Sequence, residues 1–548
     1  MISMKNLSGD IFGGVTAAVV ALPLALAFGV QSGMGAIAGL YGAIALGFFA
    51  AAFGGTNTQI SGPTGPMTVV SAAIIADEVA RYGSVEAAFG TIIATFVLAG
   101  LFLILMGVSG IGKYVRYMPY PVISGFMSGI GLIIIIVQIF PFFGMESPAT
   151  ILDVFANITD IASGINYEAF ALAAATVAII YLFPKVTKKI PSSLVALVVL
   201  SLLSTLLALD VPIIGDIPKG LPEVHVDTIL GMDWHHPMAM VIPALTLAAL
   251  GAIDSLLTSV VADNMTKTQH DSNRELIGQG IGNAVAGLIG GLPGAGATMR
   301  TVVNIKAGGK TKLAGMIHSL VLLFVLLGAG AYAKLIPLPV LAGILVTVGI
   351  GIIDYKGLKH ISKVPKSDAV IMILVLLMTV FVDLLQAVGI GLVLASVLFM
   401  KQMSDTVEAK SINCSLGDFD VKSVVFDKDI PQELAKEIYI ENFEGPIFFG
   451  FIAHFKRMMQ ELPDIKVAIF CMKNVPMIDQ SGMYAIEDAV LELESKGVRV
   501  LITGIQEQPK AMLENIELIP SLVPYEDIFE DLPSALDAIK SGKVELKS

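Results

Sequence analysis

Two oxygen-bearing side chains lie four residues apart in one long apolar segment. Asp254 and Thr258 fall within residues 237–262, where Asp254 is the only charged residue. Because residues four apart share one face of a helix, the two oxygens are predicted to lie one turn from each other. Carboxylate and hydroxyl oxygens suit a hard cation, and an ionisable residue inside a membrane span is functional by default. The pair therefore predicts a cation site; the alternative is a buried structural pair between Asp254 and Arg300.

Two short segments that lie 233 residues apart resemble each other. Residues 61–70 and 294–303 each form a break rich in Gly, Pro or Ala that carries hydroxyl groups and opens into a short apolar helix. Irregular backbone at membrane depth is tolerated only where it lines a cavity, and paired breaks in two halves of a chain are typical of transporters. These two breaks therefore predict the substrate site.

The helix starts that follow the breaks suit an anion. If the half-helices at about 64 and 298 point their N-termini at each other, each contributes about +0.5 charge and unpaired backbone N–H donors. Two roles are open for Arg300, which either adds positive potential or pairs with a carbonyl or with Asp254. The threonines of the breaks either donate to the anion or cap their own helices, and Phe28 either forms an apolar wall or packs in the core. The residues predicted to bind the anion are Phe28, Thr64, Gly65, Met67, Thr68, Gly296, Ala297, Thr298 and Arg300.

A cation beside the anion would neutralise Asp254. An ionised carboxylate roughly 5 Å from a monoanion repels it by about 3 kcal/mol at an effective dielectric near 20. Protonation of Asp254 would also remove this repulsion, but Arg300 and the helix ends oppose it. The sequence therefore predicts sodium as the coupling ion, with no other cofactor. The predicted sodium ligands are Asp254, Thr258 and carbonyl or hydroxyl oxygens of Gly296 and Thr298.

The segments that position these residues are apolar spans. The mean hydropathy is +0.80, and residues 11–76 contain no Asp, Glu, Lys or Arg. Hydropathy predicts an all-α polytopic membrane domain over residues 1–401 with fourteen spans, two of them half-helices. An odd number of spans in each half inverts the second half relative to the first, so we predict a 7+7 inverted repeat. The predicted spans are 11–33, 36–54, 64–77, 86–109, 119–144, 167–184, 190–209, 237–262, 274–291, 298–307, 313–333, 336–353, 367–384 and 385–401.

The distribution of Lys and Arg predicts the orientation. Basic residues cluster in alternate connections, such as residues 185–189 and 356–366, while the intervening connections hold few. By the positive-inside rule, both termini are predicted to be cytoplasmic, with residues 145–166 and 210–236 external. The predicted location is the cell inner (plasma) membrane.

The last part of the chain differs in charge. Residues 1–401 hold 20 basic and 20 acidic residues, whereas residues 402–548 hold 14 and 26, so the net charge of -12 lies in the tail. The tail is predicted to be a soluble acidic domain with reduced cysteines, and it is not expected to bind nucleic acid. Alternating segments predict a small α/β domain with a mixed sheet over residues 411–548. Either Asp479 or Ser481 is predicted to cap a helix. The predicted strands are 421–425, 438–440, 467–472 and 498–503, and the predicted helices are 450–461, 481–496 and 508–515.

These features together resemble the SulP family of anion transporters. Residues 23–28 and 39–41 resemble the family's first two spans, and residues from about 411 onward resemble its STAS domain. Within the family, the chain is similar to cyanobacterial BicA-type sodium-dependent bicarbonate transporters. The motifs that carry this similarity are residues 60–71, 251–258 and 293–303.

The resemblance implies that the spans form two groups with different functions. It implies a core of spans 1–4 and 8–11, a gate of spans 5–7 and 12–14, elevator-like motion, a homodimer and a cytoplasmic STAS domain. Many proton-coupled relatives carry Glu where this chain has Asp254. This difference weakens the case for carrying proton coupling over from those relatives to this chain. Leu24 is often polar in animal members, and its apolar side chain here suggests a small anion held mainly by backbone groups.

Several functions fit this pattern. The leading hypothesis is a secondary active transporter that imports bicarbonate with sodium, and its closest rival is a proton-coupled sulfate or dicarboxylate transporter. A membrane-bound sensor that signals through the STAS domain is a hypothesis of another class. An enzyme is disfavoured, because the sequence offers no nucleophile–base pair or metal-ligand set. The expected partners are a small inorganic anion, sodium, membrane lipid and a second copy of the chain.

Overall fold

The computed structural model describes most of the chain in two compact units. The units are Met1–Ala395 and Ser396–Ser548. The domain boundary predicted between residues 401 and 411 stays a prediction. The described residues are 6–148, 150–187, 190–214, 222–231, 238–382, 384–410, 412–415, 435–452, 455–456, 459 and 465–544.

The first unit is mainly helical, as the sequence predicts. Within the described residues, each of the fourteen predicted spans has a helix. These helices are α1 Leu7–Gln31, α2 Ala36–Phe53, α3 Gly65–Tyr82, α4 Val85–Val108, α5 Tyr120–Val137, α6 Tyr167–Val186, α7 Ser192–Leu206, α8 Met238–Thr266, α9 Ser272–Leu288, α10 Thr298–Lys306, α11 Lys312–Ala333, α12 Leu338–Ile352, α13 Lys366–Phe381 and α14 Leu384–Lys410. Asp383, near the predicted split between the last two spans, lies outside the described residues.

Seven helices of the described chain are long and apolar enough to cross a membrane. They are α1, α2, α4, α5, α6, α8 and α14, while α7, α11 and α12 contain shorter apolar stretches. Further short helical segments join the spans. They are Ile111–Tyr117, Ile139–Phe142, Ile151–Ala156, Ile158–Asp160, Ile161–Gly164, Val226–Leu230 and Tyr355–Lys359.

Of the two helices predicted to be half-helices, only α10 is one; α3 has 18 residues, as many as α2 and α5, so that prediction is wrong for α3. Helix α10 has 9 residues and is therefore about 14 Å long, too short for a bilayer core of about 30 Å. Helix α3 starts at Gly65, with Pro66 in its first turn, where a missing N–H costs no hydrogen bond. The predicted end of α3 at residue 77 is wrong, because charged residues marked a boundary that the helix passes. It continues to Tyr82 and ends at Gly83, whose positive φ of 91° stops it.

Contacts between helices follow the two halves of the chain. Helix α4 packs on α9 as α11 packs on α2, and α1 packs on α11 as α8 packs on α4. Helices α5 and α13 are in contact, and so are α12 and α6. In each pair, replacing both helices of one contact by the helices seven places away in chain order gives the other contact. This is the pattern that a two-fold inverted repeat requires.

Small residues let the helices cross closely. A Cβ added at Gly100 in α4 would lie 2.6 Å from the Gly280 carbonyl oxygen in α9, and a Cβ at Gly280 would lie 2.6 Å from the Gly100 carbonyl oxygen. Close backbone contact through small residues is a common way to pack helices in membranes, where the hydrophobic effect does not drive them together.

The second unit contains a five-stranded mixed sheet. Its strands are numbered after the two short strands of the first unit, β1 Ser61–Gly62 and β2 Ala295–Gly296. They are β3 Ile412–Ser415, β4 Ile438–Glu444, β5 Val467–Asn474, β6 Arg499–Thr503 and β7 Ile528–Phe529. The strand order is β3-β4-β5-β6-β7, with β3 antiparallel to β4 and the other neighbours parallel. Apolar clusters cover both faces of the sheet. The helices are α15 Gln480–Ser495, α16 Glu507–Asn515, Leu518–Ser521, the 3-10 turn Tyr525–Asp527 and α17 Leu532–Lys540.

The mixed α/β prediction for the tail is confirmed, with additions. Asp479 caps α15 and accepts a hydrogen bond from the Gly482 N–H at 2.7 Å, and Cys471 is a buried free thiol. The predicted strand at 421–425 and parts of the predicted helix at 450–461 lie outside the described residues. The sequence pattern missed β3, β7 and α17, because two of these elements are strands of four and two residues.

Candidate functional site

The two breaks predicted from the sequence pair with each other. Before α3 and α10 respectively, β1 Ser61–Gly62 and β2 Ala295–Gly296 form an antiparallel two-stranded ribbon. The Ala297 N–H extends the ribbon by donating to the Ile60 carbonyl at 2.8 Å. Because β1 and β2 are antiparallel and each leads directly into its helix, the segments that follow them run in opposite directions. The ribbon is thus the meeting point of the two halves.

Helix α8 contacts the start of α3 and the start of α10. Thr64, the residue before α3, donates its hydroxyl to Asp254 Oδ2 at 2.8 Å. Thr258 donates to the Gly296 carbonyl at 2.8 Å and lies 2.7 Å, oxygen to oxygen, from Thr298, the first residue of α10. Residues four apart on a helix are about 6 Å apart, so the two helix starts lie side by side along α8.

Arg300 is buried and contacts the first break at Pro63. Its side chain is 1% exposed, and its Nη2 donates to the Pro63 carbonyl at 3.0 Å. Within the described residues, its Nε and Nη1 have no hydrogen-bond partner. The sequence left open whether Arg300 pairs with a carbonyl or with Asp254. It pairs with a carbonyl, and within the described residues it makes no ion pair with Asp254. A Cβ at Gly62 would lie 2.4 Å from Arg300 Nη1, so this guanidinium occupies space that only glycine leaves free.

The remaining predicted anion ligands surround the start of α3. Phe28, Met67 and Thr68 are buried, and the Thr68 hydroxyl has no hydrogen-bond partner in the described part of the chain. A Cβ at Gly65 would meet the Cδ1 atoms of Ile134 in α5 and Ile352 in α12 at 2.8 Å, with the Phe28 ring 3.9 Å away. The predicted residues thus come together, and their neighbours on the far side belong to α5 and α12.

The alternative that Thr64 caps its own helix is wrong. Thr64 precedes α3 in extended conformation, but its side chain makes no cap hydrogen bond and donates to Asp254 instead. Ala297 precedes α10 and has no side chain that could cap it. Backbone N–H groups in the first turns of both helices therefore lack a side-chain cap, which is the arrangement that binds anions.

Sequence reasoning missed a polar face on α9. Glu275, Gln279 and Asn283 are buried and spaced four apart, so they share one side of the helix. Gln279 donates to Ser61 Oγ at 2.6 Å, and Asn283 both donates to the Gly294 carbonyl at 3.1 Å and accepts from the Gly294 N–H at 2.8 Å. This helix therefore fastens both breaks. Its signal in the sequence was three polar residues at a spacing of four within a predicted span.

Charges in the site are few and of both signs. Asp254 supplies one negative charge, while Arg300 and the two helix starts supply positive potential. The oxygens that approach Thr258 are the Gly296 carbonyl and the Thr298 hydroxyl, and Asp254 lies one helical turn away. The arrangement can hold an anion at the N–H groups and a hard cation among the oxygens.

Comparison with known proteins identifies the family. Residues 7–375 match the model of the sulfate permease family, and residues 430–535 match the STAS domain. The chain belongs to the sulfate permease family. It is 44% identical over 533 residues to the bicarbonate transporter BicA of a Picosynechococcus species, a match that covers 95% of this chain and 93% of the relative. The tail that follows the membrane unit is its STAS domain.

Solved structures give the same assignment for this sulfate permease family member. The transmembrane domain of a cyanobacterial bicarbonate transporter BicA aligns with a TM-score of 0.66 and 49% identity, covering 71% of this chain and 99% of that one. The murine solute carrier 26 family member A9 anion transporter aligns with a TM-score of 0.85 and 19% identity, covering 99% of this chain and 92% of that one. At that identity, the second match shows the fold alone. The chain is a multi-pass membrane protein of an anion transporter family with a C-terminal STAS domain.

Proposed function

We propose that this protein is a secondary active transporter that imports bicarbonate together with sodium. The observation that carries the proposal is the bridge made by α8, in which Asp254 meets the start of α3 and Thr258 meets the start of α10. One helix thereby presents a carboxylate to the place where an anion would bind. A cation is needed to make that arrangement favourable.

The anion would bind to backbone groups more than to side chains. The first turns of α3 and α10 hold backbone N–H groups without a side-chain cap, and Arg300, which donates to the Pro63 carbonyl, adds positive potential. Ile134 and Ile352 lie so close to Gly65 that even an added methyl group would clash with them, so a bulky anion is not expected at the start of α3. Bicarbonate is small, singly charged and able both to donate and to accept hydrogen bonds. The name of the BicA relative, 44% identical over nearly the whole chain, supports this substrate.

Sodium is cargo in this proposal. Asp254, the Thr258 and Thr298 hydroxyls and the Gly296 carbonyl supply oxygen atoms that a sodium ion would share. Binding it would cancel the charge of Asp254, so each ion would raise the affinity for the other by the same factor. Coupled binding is what lets a sodium gradient drive anion import.

We infer an elevator-type movement from the division of the helices. The ion-binding residues belong to α1, α3, α8, α10 and the breaks, and these elements pack with α2, α4, α9 and α11. The walls across from Gly65 belong to α5 and α12, which pack with α6 and α13. If the first group of helices holds all the ion ligands and the second group only closes the site, the first group can carry both ions across the membrane as a unit. We further propose a homodimer in the plasma membrane with both termini in the cytoplasm.

The test is transport by the purified full chain in proteoliposomes. Labelled bicarbonate uptake should require sodium, and potassium should not replace it. Excess sulfate or dicarboxylate should compete poorly. Uptake of sulfate that rises at acid external pH without sodium would favour the proton-coupled alternative instead. Binding of bicarbonate without any transport would favour a sensor.

A further inference from the structure

Helix α8 carries a second set of hydroxyl groups next to the proposed sodium ligands. Ser255 and Ser259 each follow a ligand residue in the chain, and both are fully buried. Ser255 Oγ accepts a hydrogen bond from the Gly296 N–H at 3.1 Å, in the second break. Ser259 Oγ donates to Gln59 Oε1 at 2.9 Å and lies 2.7 Å from Thr56 Oγ1, both in the α2–β1 connection, residues 54–60, that leads into the first break. These two serines tie α8 to the second break and to the α2–β1 connection.

The side chain of Gln59 is held in one orientation by Glu275. The Gln59 amide nitrogen donates to Glu275 Oε1 at 2.8 Å, which turns its amide oxygen toward Ser259. The other oxygen of Glu275 accepts from the N–H groups of Gly55 and Thr56, each at 2.8 Å. Gln279 is the fourth donor to this carboxylate, at 2.8 Å. A chain of hydrogen bonds therefore runs from α9 through the α2–β1 connection to α8.

The chain ends beside the proposed sodium ligands. Ser259 is the neighbour of Thr258, and Ser255 is the neighbour of Asp254. A shift of α8 would change the distance from Thr258 to the Gly296 carbonyl, which is 2.8 Å now. Binding sites keep their affinity only when their ligands are held within about 0.5 Å by a surrounding network.

We propose that Ser259, Gln59 and Glu275 are positioning residues for the coupling cation. Through this chain they set the distance between the oxygens of α8 and those of the second break. They do not touch the ion. The inference rests on the proposed sodium coupling, and it adds residues of α8, α9 and the α2–β1 connection that bind neither ion directly.

The main test replaces Ser259 by Ala in the full-length protein. Sodium affinity is measured in two ways: as the sodium concentration that gives half of the maximal thermal stabilisation of detergent-purified protein, and as the concentration that gives half-maximal bicarbonate uptake. Ser259→Ala should raise both about fivefold to tenfold, the factor that one lost hydrogen bond represents. The maximal rate at saturating sodium should stay within about twofold of wild type.

Two further variants make the result specific. Thr95→Val removes a buried hydroxyl of α4 that donates to the Thr91 carbonyl of its own helix, and sodium affinity should not change. Glu275→Gln keeps the shape of the side chain but turns an amide toward backbone and side-chain donors, so it should weaken sodium binding more than Ser259→Ala does.

The outcomes are distinct. A Ser259→Ala protein with lower thermal stability in the absence of sodium but unchanged sodium affinity would overturn the inference, because the network would then be structural only. Failure of Glu275→Gln to fold would leave the Ser259→Ala result decisive. If wild-type protein showed no sodium dependence at all, the proposed function would fail first.

Discussion

Replacing Asp254 by Asn tests the electrostatic reason for coupling. The change removes one negative charge and keeps an oxygen that can accept from Thr64, which donates to Asp254 Oδ2 at 2.8 Å. Asp254 contacts the start of α3 and Thr258 contacts the start of α10, one helical turn apart, so an anion held between the two helix starts would lie about 5–6 Å from that carboxylate. At an effective dielectric near 20, the repulsion is about 3 kcal/mol, or about 150-fold in affinity.

Sodium should therefore tighten bicarbonate binding by the wild-type protein roughly 100-fold. In Asp254→Asn, bicarbonate should bind without sodium about as tightly as it binds wild type with sodium, and sodium should no longer change that affinity. Both affinities can be obtained from thermal unfolding of the purified protein titrated with bicarbonate, with either sodium or choline as the cation.

The matched control is Asp77→Asn. Asp77 is exposed in α3, about 18 Å along the helix from its start, so its removal deletes the same charge away from the site. It should keep the wild-type coupling. The electrostatic reasoning is refuted if Asp254→Asn keeps the full sodium effect, or if Asp77→Asn loses it.

Three other predictions concern packing, titration and capping. Gly62→Ala should abolish uptake by displacing Arg300, whereas Gly351→Ala, where an added Cβ meets nothing within 4 Å, should transport normally. Burial raises the pKa of Glu441 in the STAS domain to about 8, so the unfolded state ionises between about pH 4.5 and 8 while the folded state keeps its proton, and stability falls as pH rises. Relative to wild type, Glu441→Gln should thus gain about 2 kcal/mol of protection of β4 and β5 from amide hydrogen exchange between pH 6 and pH 8. An equal difference at both pH values would contradict this. Asp479→Ala should lower the unfolding free energy of the STAS domain by about 1 kcal/mol through loss of the α15 cap, as measured by exchange of the same strands.

The spans and the breaks could be predicted because each has a strong local signal. Long charge-free segments mark the helices, and hydroxyl groups beside Gly and Pro mark the breaks. Asp254 and Thr258 were recognisable as a pair because a helix repeats every 3.6 residues. The end of α3 was misjudged because Asp77 and Glu78 are charged, although the helix continues through them.

Long-range partners could not be predicted from local pattern. Nothing in the sequence says that Thr64 donates to Asp254, 190 residues away, and its short-range preference for capping pointed elsewhere. Likewise, Glu275 lies at the start of a predicted span, beside Arg274, with no local sign of a partner. Its role becomes visible only when the fold brings Gly55 and Gln59 to it, because hydrogen bonds between distant segments depend on the packing of whole helices.

The central claim is that sodium and bicarbonate move together. The most direct measurement is bicarbonate accumulation by proteoliposomes that contain the full chain, with an inward sodium gradient, equal bicarbonate on both sides and the membrane potential clamped at zero. If the two ions are cotransported, bicarbonate should rise inside above its external concentration and fall back when the sodium gradient is collapsed. Bicarbonate that only equilibrates, with or without the gradient, would contradict it.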